Sequence, residues 1–107
     1  MDATGTAQAR ARVAAELERV VRRWHQLPLD RALRAVPPVR TLVQEVADEV
    51  ARADRLPPGP VPDLGSAALM DQLRVMVHDH ARAGLADDEQ SVSALADRLT
   101  ALRRALP

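Results

Sequence analysis

The sequence predicts an all-α fold: a single domain, residues 1–107, built as a helical bundle of four long amphipathic helices plus one short helix. Three observations carry this expectation. Strong helix formers (Ala, Leu, Arg and Glu) dominate the chain. Trp24 is the lone aromatic residue and Ile is absent, which removes much of the usual strand vocabulary. Prolines and glycines then divide the chain into segments whose apolar residues recur every three or four positions, with no alternating pattern.

The first helix is expected from about Thr6 to Gln26, after a flexible stretch over residues 1–5. Its apolar positions Val13, Leu17, Val20, Val21 and Trp24 form a seam suited to helix–helix packing. Leu27 precedes Pro28, which disfavours helix and ends the element. "PLDRALRAV" reads as a short second helix with Pro28 near its first position, burying Leu29, Leu33 and Val36. The Pro37–Pro38 pair separates it from a third helix that starts near Pro38 and runs to about Ala53. The stripe of that helix is Val39, Leu42, Val43, Val46, Val50 and Ala53, with Asp48 and Arg52 as an i,i+4 pair outside.

Residues 54–65 form a Pro-rich interhelical loop. Four prolines between positions 57 and 62 force an extended, polyproline-like path. No arginine stands three residues before Pro57 or two after Pro60, so the segment reads as a stiff connection and not as a PxxP ligand. It is long enough to run from one end of a bundle toward the other. The fourth helix starts near Asp63 or Ser66, either of which can cap it, and ends at Gly84 as a left-handed C′ residue, with Leu85 folding back. In the fifth, Asp87 as cap and Gln90 three later make a capping-box pattern. Val92, Leu95, Leu99, Leu102 and Leu106 follow as a second seam.

Composition narrows the function. Cysteine is absent, which excludes disulfides, thiolate metal sites and a cysteine nucleophile. There is no glycine-rich phosphate loop and no serine–histidine–acid constellation, so an enzyme is disfavoured and no cofactor is expected. No apolar run approaches ~18 residues and the N-terminus lacks a signal-peptide core, so no membrane contact and a cytoplasmic location are expected. Net charge is zero, yet residues 1–34 carry seven Arg against four acids, residues 35–90 five against ten, and residues 91–107 three against one. Basic ends around an acidic middle suit self-association or a charged partner.

The stretch "RVMVHDH", residues 74–80, concentrates the groups that could do chemistry. On an ideal helix His80 lies near the centre of the apolar face set by Leu69, Leu73, Met76 and Val77. His78 points about 140° away from Leu73, so the two histidines cannot hold one metal ion. His80 therefore reads as a core or interface histidine and no metal site is expected. Arg74 and His80 also fit the R-x(4–6)-H pattern, and over these seven residues the chain resembles the HEPN ribonucleases, which are helical bundles. That resemblance implies Arg74 and His80 as catalytic residues. About 120° separates them on one helix, so they would meet only across a dimer interface or a distorted turn. "HARAG" resembles the histidine-phosphotransfer motif, with Ala83 where a lysine is expected.

The remaining signal is arginine. Arg12, Arg19, Arg22 and Arg23 lie on the outer half of the first helix, and Arg98, Arg103 and Arg104 on the last. If those helices are neighbours, the arginines form one basic interaction face able to meet phosphates. No aromatic residues are interleaved for single-strand stacking, and no helix-turn-helix is evident. A chain this short buries only roughly two thirds of its unfolded surface. With two apolar seams, it is expected to be a small interaction or regulatory domain, a homo-oligomer or the ligand of a protein partner. A nucleic-acid-associated regulator and the HEPN-like ribonuclease are the alternatives.

Overall fold

The computed structural model describes residues 3–107. It contains four α-helices: α1 Ala3–Gln26, α2 Leu29–Ala53, α3 Leu69–Arg82 and α4 Glu89–Ala105. Short 3₁₀ turns at Ser66–Ala68 and Leu85–Asp87 lead into α3 and α4. No strand occurs among the described residues, and none of their helices is long and apolar enough to cross a membrane.

Side-chain pairs fix the directions of the helices. Arg12 of α1 bonds Asp97, and Glu16 one turn later bonds Arg103, so α1 and α4 run parallel. Arg40 reaches Asp63 just before α3, and Asp54 just after α2 reaches Arg82 at the end of α3, so α2 and α3 also run parallel. Arg74 of α3 pairs with Glu18 of α1, and Arg98 of α4 with Glu49 of α2; these pairs join the two layers. The layers run in opposite senses, and the whole is 45 × 30 × 16 Å. At that thickness every helix keeps an outer face.

The two seams read from the sequence meet each other inside the chain. Val13, Leu17, Val20, Val21 and Trp24 join Val92, Leu95, Leu99, Leu102 and Leu106 in one core with Leu69, Met70 and Leu73. Each large apolar side chain buried there contributes about 1.5–3 kcal/mol.

Three expectations are corrected. First, residues 29–53 form one helix, not a short helix and a long one, with Pro37 and Pro38 inside it. Each proline removes an i→i−4 bond and costs about 3 kcal/mol in a helix interior. The compensation is the core stripe: Ala32, Ala35, Val39, Leu42, Val43, Val46 and Val50 are all buried in a single three-and-four register across the prolines. A break at the prolines would turn one half of that stripe away from the core. The buried face is therefore Ala32 and Ala35. Leu29 and Leu33 are exposed and Val36 is half-buried, not the buried trio expected. Second, helix α1 already includes Ala3–Gly5, within the stretch expected to be flexible; Met1 and Asp2 lie outside the described residues. Third, the cap of α4 is Asp88, whose carboxylate accepts from the Ser91 backbone N–H at 3.0 Å; Asp87 sits in the preceding turn and binds Arg10. Neither Asp63 nor Ser66 caps α3, because Asp63 is held by Arg40 and the Gly65 N–H. Gly84 does adopt the left-handed conformation, with φ 86°.

The Pro-rich segment is the crossover that makes α2 and α3 parallel. About twelve residues of polyproline-like chain span roughly 37 Å, enough to climb back along the bundle. Gln44 of α2 pins it. Its Nε2 donates to the Gly59 carbonyl at 3.0 Å, and its Oε1 accepts from the Val61 N–H at 2.8 Å, much as a neighbouring strand would. The same Nε2 donates to Asp48 at 2.8 Å, so Asp48 is engaged by Gln44 rather than by Arg52. Gln72 Nε2 adds a bond to the Pro62 carbonyl at 2.9 Å, and Val61 packs against the core. Replacing Gln44 by Ala is expected to cost about 2 kcal/mol, the net worth of its bonds, and to speed amide exchange at Val61. Denaturant unfolding and hydrogen-exchange NMR check both.

Candidate functional site

The arginines expected to form a basic face lie on adjacent helices, α1 and α4, and most are engaged by acids and carbonyls of the chain itself. Arg12 binds Asp97 at 3.0 Å and Thr100 at 3.4 Å. Arg23 reaches the Pro107 carbonyl, and Arg10, one turn before Ala14, binds Asp87 and the Ala86 carbonyl. Glu16 is buried and receives Arg103 Nε at 2.6 Å and Arg19 Nη1 at 2.5 Å. The Arg103 bond, with Arg19 behind it, holds the Glu16 carboxyl below the usual carboxylate range against the opposing effect of burial. That contribution is present above about pH 4.5 and is lost as the pH falls through the folded-state value. Arg98 lies on the opposite flank of α4, bound to Glu49 at 2.9 Å. Of the named arginines, Arg22 and Arg104 are exposed and outside any ion pair among the described residues. The surface is an ion-paired seam with two cations left over. Partners such as Glu16 could have been read from its position three residues before Arg19, on the margin of the apolar stripe.

Arg74 and His80 do not meet within the chain. Arg74 is on the surface, its guanidinium forked onto Glu18 at 2.6 and 3.3 Å. His80 is only 1% exposed, at the C-terminal end of α3. His78 is exposed, and among the described residues no group of three or more His, Asp or Glu side chains is placed to hold a metal ion. His25, next to Trp24, is also exposed.

His80 is the most unusual buried group. Its Nε2 has no hydrogen-bond partner and lies 3.7 Å from a Glu49 oxygen. Glu49 is itself held by Arg98, and Glu45 sits 3.8 Å from the same guanidinium. Burial pushes the His80 pKa down; Glu49 pulls it up, and Arg98 pushes it down further. The neutral imidazole is therefore the folded form at pH 7. The ring also forms part of the wall of a cleft of about 410 Å³ between α1, α3 and α4. Val13, Leu17, Val77, Val92 and Leu95 line it, and Arg10 and Asp87 stand at its rim.

The exposed large apolar residues fall in one layer of the bundle. Leu29, Leu33, Leu56, Leu64 and Val75 are 51–71% exposed, and all belong to α2, the crossover or α3; none belongs to α1 or α4. Leu64 and Val75 flank a groove of about 420 Å³ with Val61, Pro62, Ala68 and Met76. Leu29, Leu33 and Arg40 share one flank of α2 by helical spacing. Arg40 binds Asp63 beside Leu64, which joins that flank to the groove.

Because the folded-state His80 pKa is depressed, the unfolded chain takes up the proton first as the pH drops. Stability is full above about pH 6.5 and declines as the pH falls from there toward the folded-state value. A His80→Leu protein is expected to lose this decline and to gain about 1 kcal/mol from removing the unpartnered buried nitrogen. Thermal unfolding of both proteins between pH 7.5 and 5 measures it; a decline of unchanged slope in the variant contradicts the assignment.

Compared with family models, curated proteins and solved structures, the chain matches none.

Proposed function

We propose that the protein is a helical interaction module that pairs with a second copy of itself through the outer face of α2, the crossover and α3. The observation that carries this reading is that the exposed Leu29, Leu33, Leu64 and Val75 all fall in the α2/crossover/α3 layer, Leu64 and Val75 on one groove. Exposed apolar residues gathered in this way point to a contact site more than ones scattered over the whole surface do. The two apolar seams that first suggest self-association are used up in the chain's own core, so a dimer has to use this face instead.

The face supports self-pairing because it holds two complementary parts. Leu29 and Leu33 project from a helix at i and i+4, a spacing that fits a groove, and Leu64 and Val75 border one. A two-fold axis lets each copy's α2 flank enter the other's groove. The other layer supports the same choice, since it has no exposed large apolar residue and most of its arginines are bound within the chain. A standard interface takes about 800 Å² from each partner, a modest share of the 6309 Å² available.

Light scattering across concentration tests the reading. The expected mass is twice 11.7 kDa. A Leu33→Glu, Val75→Glu protein is expected to be a folded monomer, because both positions are solvent-facing in the single chain. A native protein that stays at 11.7 kDa at millimolar concentration, or a doubly substituted protein that still dimerises, contradicts it.

A further inference from the structure

We infer that the cleft beside His80 binds a small apolar monocarboxylic acid, its hydrocarbon tail among Val13, Leu17, Val77 and Leu95 and its carboxylate at Arg10. The volume, about 410 Å³, lies within the range of small-molecule sites. The lining is almost wholly apolar and comes from three helices that also build the core. Small residues, Ala14, Ala81 and Ala86, form part of its wall, where α1, α3 and the turn before α4 come together.

The rim says which end of a ligand faces outward. Arg10 spans the mouth from α1 to the turn before α4, its Nε donating to the Ala86 carbonyl at 2.9 Å and its Nη2 to Asp87. Both groups of the Arg10–Asp87 pair are substantially exposed. An exposed ion pair is worth little, so a ligand carboxylate replaces Asp87 on the guanidinium at small cost. No other cation lines the cleft apart from His80, which is neutral at pH 7 and whose free nitrogen faces Glu49. A cationic or strongly polar ligand finds no buried partner along the walls, whereas a tail of apolar carbons does.

Sodium decanoate and the neutral decanol are the probes, titrated into the full chain at pH 7.5 below their aggregation thresholds. Methyl NMR reports on Val13, Val77, Val92 and Leu95. Decanoate is expected to shift these methyls saturably at one site and to raise the melting temperature. Ala81→Leu and Ala14→Leu, each filling part of the space, are expected to weaken binding at least tenfold while circular dichroism shows an unchanged fold. Arg10→Gln is expected to weaken decanoate about tenfold, as for loss of a charge-assisted bond, and to leave decanol unchanged. Absent or non-saturating shifts overturn the site. Equal binding by both cavity-filling proteins overturns the cleft as its location. Arg10→Gln acting on both probes alike, or on neither, overturns the carboxylate assignment.

Discussion

The rest of the structure depends on the return path of residues 54–65. A short turn after α2 would make α3 antiparallel to it. The four prolines forbid such a turn and stretch the chain back along the bundle instead, so α3 begins beside the middle of α2, near Arg40, and runs in the same direction. Arg40 bound to Asp63 and Arg82 bound to Asp54 mark the two ends of that parallel pair. Once α2 and α3 are parallel, α4 returns alongside α1, and the terminal helices become partners. Arg12 of α1 then meets Asp97, and Arg103 meets Glu16. A stiff segment is also an entropically inexpensive one to order, since fewer conformations are lost on folding, and Gln44 supplies the bonds that hold it down.

This arrangement sorts the surface. The α1/α4 layer binds much of its charge within itself, which fixes the register of two parallel helices and leaves Arg22 and Arg104 outside any ion pair among the described residues. The α2/α3 layer carries the exposed leucines and Val75, because the crossover and the flank of α2 have nothing beyond them to cover. A 16 Å thickness allows no third layer. The two distinctive features of the protein, the apolar flank and the cleft beside His80, therefore lie on different sides of the bundle. One is where the outer layer ends, and the other is where the two layers meet around alanines.

Much of this was legible in the sequence. The seams at Val13–Trp24 and Val92–Leu106, the left-handed Gly84 and the inward His80 all follow from three-and-four spacing. What escaped had a physical cause in each case. Pro37–Pro38 reads locally as a break, and only the alanine stripe through Ala32 and Ala35 shows that tertiary packing outweighs two missing backbone bonds. Counting alanines as core would have shown it, and would have left Leu29 and Leu33 outside. Asp87 and Asp88 both suit a cap, and Asp87 is instead engaged by Arg10, 77 residues away in a chain of 107. The arginines lie on α1 and α4, but which acids and which carbonyl engage them is a matter of topology that local spacing does not encode. Gln44 gave no sign at all, because an amide that clamps a loop looks like any other polar residue between apolar ones.

We propose that the α2/crossover/α3 face is the surface two copies share. Amide hydrogen exchange compared at dilute and concentrated protein tests it most directly. The account predicts concentration-dependent protection at residues 29–36 and 61–76, with α1 and the outer face of α4 unchanged. Protection that is the same at every concentration, or that is gained around Arg22 and Arg104 instead, would contradict it.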